Sequence, residues 1–273
     1  MNKHSTHQLK NIPETMLITL WAKAIESKTK EPILQDKKAE EIFEQVDYDF
    51  SRFQKAKASQ VWTCIRAKLI DDEVKKFLKQ NPDGVVIQLW AGLDARYERL
   101  GKPSLTHWYD LDLPEAIALR KQFLQESEKN SFLEMSLFDD VWMDKVLAHN
   151  KPVFILSEWV LMYFDESEIK ALFERICQKF HEVTVVFDML AFLAVKHQKH
   201  HDAVGKTEYK AEFKRSLLKT KAMEQWNSKI HLKQELYLSD YDQKKFPTFF
   251  RILYKIPYFY KRINQRVVTL EIS

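Results

Sequence analysis

The feature that most constrains the fold is an alternation, over residues 85–190, between short apolar segments and longer segments with helical periodicity. The apolar segments are rich in β-branched and aromatic residues, which is typical of strands, and the segments between them place apolar residues three and four positions apart. This alternation predicts βαβ units on a parallel sheet. Five strands are predicted, over residues 85–90, 106–112, 132–137, 152–159 and 182–190.

The regions on either side of this core predict other elements. Residues 1–80 contain three segments of helical periodicity, and a turn signal at 81–84 precedes the first strand. After residue 190 a polar stretch rich in Lys and His predicts helical structure to about residue 230, and two closing strands around an apolar helix follow. We expect one domain of four segments: a helical cap (1–80), a sheet core (85–190), a helical lid (191–230) and closing strands (231–273).

Composition and charge limit the functions open to the chain. The apolar segments are far shorter than the roughly 20 residues of a membrane helix, and residues 1–11 lack a signal-peptide stretch, so we expect a cytoplasmic protein without a membrane partner. Two cysteines, Cys64 and Cys177, form no disulfide framework. Residues 190–273 hold 17 Lys and Arg against 8 Asp and Glu. This excess could attract an anionic substrate, an acidic partner or nucleic acid, but solvated helix faces are the favoured interpretation.

Gly92 and Asp112 are the first candidate site residues. The chain has only four glycines, and Gly92 follows the first predicted strand. In open α/β sheets a ligand lies beyond the carboxyl ends of the strands, where a residue without Cβ lets the backbone approach it closely. Asp112 ends the second strand about 20 residues later, the distance at which an acidic side chain binds ribose hydroxyls. The spacing indicates a nucleoside site, although a helix-opening turn capped by Asp94 would give the same pattern.

Several motifs, in order along the chain, resemble those of the leucine carboxyl methyltransferase family, in particular the tetracenomycin-type polyketide O-methyltransferases. They are CIRAKLIDD (64–72), LWAGLDARYERL (89–100), WYDLDLPEAIALRK (108–121), SLFDDVWMDKVL (136–147), LSEWVLMYFDESEI (156–169) and RILYKIPYFYKRINQRVV (251–268). The resemblance implies an α/β, Rossmann-like class I methyltransferase that uses S-adenosylmethionine (SAM). It implies a seven-stranded, mostly parallel sheet with an antiparallel last strand, a helical N-terminal cap and a helical insertion after strand 5.

The same resemblance assigns roles in SAM binding to individual positions. Arg66 matches an arginine that pairs with the SAM carboxylate, a role suited to its planar fork of donors. Lys23 aligns with a second ligand of that carboxylate, and Glu158 with a glutamate that faces the amino-acid end. Gly92 matches the glycine under the methionine portion, and Asp112 matches the carboxylate on the ribose.

Ser136 and Leu137 fall where the family holds the adenine, although the family often has Asp in place of Ser136. Tyr163 and Asp139 are supporting candidates. No catalytic residue is assigned.

Two tryptophans depart from the family pattern. Trp90 replaces the first glycine of the LGAG stretch, and Trp159 replaces the glycine after the family's glutamate. Both place an indole beside the expected SAM pocket. Trp90 could obstruct the pocket, or it could pack behind the sheet and leave Gly92 to keep the approach open.

His197, His200 and His201 lie at i, i+3 and i+4 in the KHQKHH segment. On one helix face they could ligate a metal, but no Cys, Asp or Glu partner with metal-like spacing completes a site. A solvated helix is the favoured interpretation, and we expect no metal.

The expected reaction is methyl transfer from SAM to an oxygen, leaving S-adenosylhomocysteine. A carboxylate acceptor is ionised at neutral pH and needs no base, whereas a phenol needs one and the motifs provide none. We therefore predict methyl ester formation on a small, polyketide-like acid first and phenol methylation second. The acceptor pocket is expected between the N-terminal helices and the segment after residue 190. One alternative is a protein C-terminal carboxyl methyltransferase. Another is a protein without enzymatic activity, either a binding protein built on a decayed methyltransferase fold or a nucleic-acid binder that uses the basic C-terminal third.

Overall fold

The computed structural model describes residues 4–5, 14–207 and 212–273 of the chain. Its main element is a sheet of seven strands, which includes all five that the alternation predicts. They are β1 (Val85–Leu89), β2 (His107–Asp112), β3 (Asn130–Glu134), β4 (Val153–Ser157), β5 (Val183–Met189), β6 (Ile230–Tyr237) and β7 (Arg266–Ile272). A separate two-residue pairing joins His4–Ser5 to Val46–Asp47.

The strand order in the sheet is β3-β2-β1-β4-β5-β7-β6. Strands β1 to β5 pair in parallel, and β7 pairs antiparallel with both β5 and β6. The predicted class of sheet, mostly parallel with an antiparallel last strand, is confirmed. The order reverses at β1, which lies between β2 and β4, and this is the point at which open α/β sheets bind ligands.

Helices cover both faces of the sheet. They are α1 (Thr15–Ser27), α2 (Lys37–Gln45), α3 (Lys57–Gln80), α4 (Arg96–Arg99), α5 (Pro114–Arg120), α6 (Val141–Leu147), α7 (Glu166–Lys179), α8 (Thr248–Leu253) and α9 (Pro257–Ile263). Alternate residues of β1 belong to different cores: Val86 packs in the cluster that includes Val61 of α3, and Ile87 in the cluster that includes Phe173 of α7. Burial on both faces explains why the central strands are almost continuously apolar.

The cap helices α1, α2 and α3 lie where residues 1–80 predict them, and α1 packs on both α2 and α3. The two strands predicted after residue 230 are present as β6 and β7, and the apolar helix predicted between them is present as α8. A second short helix, α9, begins at Pro257 beyond the predicted one. Cys64 and Cys177 are free and buried. In the described ranges no helix is both long enough and apolar enough to span a membrane.

The segment between β5 and β6 differs from its prediction. Its described residues form 3₁₀ turns, at Phe192–Ala194, Gln198–His200, Val204–Lys206 and Thr220–Gln225, instead of long helices. The polar composition gives this segment no apolar stripe to pack as a helix. Contacts with α3 hold part of it instead, because the backbone N–H groups of Ala58 and Ser59 donate to the carboxylate of Asp202.

Candidate active site

A cavity of about 290 Å³ lies at the carboxyl ends of β1 and β4 and is covered by α1. Most of its wall is formed by residues 88–94, which end β1 and follow it, by residues 158–164 after β4, and by one side of α1. We call it the first cavity. Its lining residues are Thr15, Met16, Thr19, Lys23, Gln88, Trp90, Ala91, Gly92, Leu93, Asp94, Glu158, Trp159, Tyr163, Phe164, Glu212 and Lys214.

Gly92 lines this cavity and is hydrogen-bonded directly to Asp112, which is not among the lining residues. The N–H of Gly92 donates to Oδ2 of Asp112 over 2.7 Å, and the N–H of Leu113 donates to Oδ1 over 2.7 Å. Gly92 has a φ of +51°, a conformation that favours glycine. Burial raises the pKa of Asp112 to about 6, although the two N–H groups and Arg120 act in the opposite direction. The spacing of the two residues in the sequence therefore corresponds to a contact.

Glu158 and Lys23 place opposite charges on the wall of the first cavity. Lys23 Nζ lies 3.7 Å from Glu158 Oε2 and 2.8 Å from Asp94 Oδ1. Arg66, which does not line the cavity, donates from Nε to Glu158 Oε1 over 3.2 Å. Burial opposes ionisation of Glu158, but Lys23, Arg66 and Arg96 outweigh it and lower its pKa to about 2. Glu158 is thus a carboxylate at neutral pH.

A buried ionic network, which the sequence interpretation did not identify, extends from this site. Arg96 donates to Asp71 of α3 over 2.7 Å and also contacts Glu158. Arg99 donates to Asp36, Asp71 and Asp94. Burial opposes ionisation of Asp94, yet Arg99, Lys23 and Arg96 hold its pKa well below the usual value. The two arginines lie three residues apart in the ARYERL segment (95–100). Their two charges were the only feature of this segment that could have indicated such a network.

Trp90 and Trp159 both have backbone conformations normally reserved for glycine, with φ of +61° and +62°. The Trp90 ring packs edge-to-face on Phe164, with 5.3 Å between centroids. It forms part of the wall and leaves the first cavity open. The backbone N–H of Trp159 donates to Asp188 Oδ1 over 2.5 Å, and the Trp159 ring lies 4.6 Å from the guanidinium of Arg66.

Of the remaining candidate residues, Tyr163 lines this cavity, and burial raises the pKa of its phenol. Ser136, Leu137 and Asp139 form a tight turn after β3, in which the Ser136 N–H donates to Asp139 Oδ2 over 2.9 Å. This turn and Arg66 are not among the lining residues of the first cavity. Their expected roles toward adenine and the SAM carboxylate stay predictions.

The histidine segment is not the solvated helix that we favoured. Gln198–His200 is one 3₁₀ turn, and the His201 side chain is only 9% exposed and packs beside Trp159 and Phe213. The i, i+3, i+4 argument fails because the chain turns away from helical geometry at this point. Among residues 4–5, 14–207 and 212–273, no group of His, Cys, Asp or Glu is arranged to hold a metal.

Comparison with known proteins identifies the family of the chain. Residues 16–177 match the sequence model of the family described as leucine carboxyl methyltransferase. The chain is 30% identical over 202 residues to the tetracenomycin polyketide synthesis O-methyltransferase TcmP of Streptomyces glaucescens, covering 74% of each protein. It is also 30% identical over 185 residues to the SAM-dependent methyltransferase dpfgK of Gibberella zeae, covering 62% of this chain and 61% of that protein.

Solved structures support the fold at low sequence identity. A DUF574 family protein from Streptomyces avermitilis matches with a TM-score of 0.60 and 9% identity, over 95% of this chain and 97% of that one. A SAM-dependent methyltransferase from Anabaena variabilis matches with a TM-score of 0.52 and 8% identity, over 82% and 94%. These likenesses confirm the predicted class I fold, and the sequence matches confirm the predicted cofactor. The chain belongs to the leucine carboxyl methyltransferase family and is a SAM-dependent methyltransferase.

Proposed function

We propose that the protein is an O-methyltransferase that converts a carboxylate of a small, polyketide-like molecule into its methyl ester. Binding of SAM in the first cavity, on which this proposal depends, is supported most directly by the pair of opposite charges, Glu158 and Lys23, on the cavity wall next to Gly92. The amino-acid end of SAM has an ammonium group and a carboxylate, so it needs an anion and a cation at this separation.

The residues around the first cavity fit SAM. Glu158 would bind the ammonium and Lys23 the carboxylate, with Arg66 holding Glu158 in place. Each oxygen of Asp112 accepts one backbone N–H and keeps a lone pair for a ribose hydroxyl. When bound, SAM supplies a methyl group on a sulfonium: the acceptor oxygen forms a C–O bond as the C–S bond breaks, and a neutral thioether leaves. This chain aligns the reactants and excludes water.

Two observations bear on the acceptor. The relative from Streptomyces glaucescens is by name an O-methyltransferase of polyketide synthesis, which supports an oxygen as the acceptor atom. In the described part of the chain, the first cavity is lined by no histidine, and its nearest phenol, Tyr163, has a raised pKa and is a poor base. A carboxylate is already ionised at neutral pH, so its methylation releases no proton and requires no base.

Calorimetric titration with SAM and S-adenosylhomocysteine tests the cofactor site. We expect micromolar binding, weakened about tenfold or more in Asp112→Asn and Glu158→Gln because each loses a charge-assisted hydrogen bond. The matched control is Glu134→Gln, since Glu134 is exposed and forms a surface ion pair with Lys121. Absence of binding in the wild-type protein would refute the proposal and favour a decayed fold.

The acceptor is tested by incubating the protein and labelled SAM with aromatic acids, phenols and a peptide that ends in a free carboxylate. Mild alkali hydrolyses methyl esters but leaves phenol ethers intact. Label that alkali releases from a small acid supports the proposal. Label that resists alkali, or that enters only the peptide, contradicts it.

A further inference from the structure

A second cavity, of about 440 Å³, lies on the other side of Trp159 and shares no lining residue with the first cavity. It is bounded by the first turns of α3, by residues 191–202 and by α8. The rings of Trp62, Phe213 and Phe250 line it, together with His201. This is where we expected the acceptor pocket from the sequence, between the cap helices and the segment after residue 190.

His201 is fixed in one orientation by its neighbours. The N–H groups of Val204 and Ala203 donate to His201 Nδ1 over 3.2 and 3.4 Å. The adjacent Asp202 accepts from Ala58 at the start of α3 over 3.1 Å, which ties this segment to the helix. The ring therefore cannot turn without breaking these contacts.

These contacts also determine which ring nitrogen carries the proton. Burial lowers the pKa of His201 to about 4, with Asp202 opposing and Arg66 adding to the effect, so the ring is neutral at pH 7. A neutral imidazole has one N–H, and Nδ1 accepts hydrogen bonds, so the proton is on Nε2. Nε2 has no hydrogen-bond partner among the described residues. His201 is thus a hydrogen-bond donor to the second cavity and not a base.

The walls indicate what this donor would meet. Trp62 and Phe250 lie edge-to-face with centroids 4.9 Å apart, and Phe213 lies 5.8 Å from His201. Such surfaces bind a flat aromatic ring. Lys55 and Lys57 line the same cavity and are exposed, which favours an anionic group on the ligand.

We propose that the second cavity binds an aromatic ring with a carboxylate, and that His201 donates from Nε2 to one carboxylate oxygen. Trp159 lines the first cavity but not the second, and its ring lies 5.7 Å from those of both His201 and Phe213. Its indole therefore separates a carboxylate at His201 from the first cavity, and the two cavities form separate binding sites.

The test is calorimetric titration of the full chain with 2-naphthoate and with its neutral amide, in the absence of SAM. We expect naphthoate to bind at least tenfold more tightly than the amide. His201→Phe should weaken naphthoate binding about tenfold, and His201→Gln, which keeps an N–H donor, should recover most of it. Trp62→Leu should weaken both probes because it removes a ring from the wall without changing His201.

The control is His181→Phe, an exposed histidine outside both cavities, which should bind naphthoate as the wild type does. SAM affinity should be unchanged in His201→Phe. Equal binding of naphthoate and amide, or naphthoate binding that His201→Phe and Trp62→Leu leave intact, would overturn the proposal even if SAM binds. If SAM does not bind but naphthoate binds through His201, the second cavity is supported as a binding site and the proposed function fails.

Discussion

Trp90 and Trp159 keep a backbone conformation that costs a residue with a Cβ roughly 1 kcal/mol or more. Their rings offset this cost through contacts with Phe164 and with Arg66. The resemblance to the methyltransferase family places glycine at both positions, and glycine adopts this conformation without strain. The chain therefore retains the family's backbone while adding an indole to the wall of the first cavity at each position.

This strain predicts an unusual order of stability at Trp90. Trp90→Gly and Trp90→Ala both remove the ring, but only glycine relaxes the left-handed backbone, so the glycine variant should be about 1 kcal/mol more stable than the alanine variant. Urea denaturation measures the difference. At Trp142, inside helix α6, the same two substitutions should give the opposite order because alanine favours helices. Equal or greater stability of Trp90→Ala would show that residue 90 is not strained.

Asp112 predicts a pH dependence of SAM affinity. Its pKa is raised from 3.8 to about 6, so the carboxyl contributes stability to the free protein at low pH that is lost as the pH rises from 3.8 to about 6. Ribose hydroxyls bind the ionised form better. Calorimetry should therefore show SAM affinity falling as the pH drops below about 6. Asp112→Asn should bind weakly with little change over this range, and a wild-type profile in that variant would assign the titration to another group.

At the scale of elements, the sequence predicts best what local periodicity determines. All five strands from β1 to β5 and the cap helices lie at their predicted positions because each has its own apolar pattern. α5 ends at Arg120, whose guanidinium is held in the interior by Asp110 and by the carbonyl of Gly92. The described residues between 191 and 230 could not be predicted, because contacts with residues distant in the sequence, such as that of Asp202 with the N–H groups of Ala58 and Ser59, hold part of this segment.

In the candidate site, too, some contacts could be predicted from the sequence and others could not. Gly92 and Asp112 could be paired from spacing, because adjacent parallel strands bring their carboxyl ends together. The contact of Lys23 with Glu158 joins α1 to the end of β4 across 135 residues, and only the family resemblance suggested it. His201 could not be recognised from its sequence, because its donor atom is defined by the backbone N–H groups of residues that follow it.

At the scale of the whole molecule, the buried charges connect the cap to the sheet. Lys23 of α1, Arg66 of α3 and Arg96 of α4 converge on Glu158 at the end of β4. Removing one member of a buried group of ion pairs leaves the charges of the others uncompensated, which typically lowers the free energy of unfolding by about 3–5 kcal/mol. The proposed SAM site is thus also a structural link between layers, and we expect loss of its charges to weaken the fold as well as cofactor binding.

The consequence for acid stability can be tested with Glu158→Gln. The native pKa of Glu158 is lowered from 4.5 to about 2, so its contribution to stability is present above pH 4.5 and is lost as the pH falls toward 2. In urea denaturation at pH 7 the variant should be about 3–5 kcal/mol less stable than the wild type. Between pH 4.5 and 2 its stability should fall less steeply. Glu134→Gln at the surface should change neither quantity appreciably, and a wild-type acid profile in Glu158→Gln would show that the network does not depend on this carboxylate.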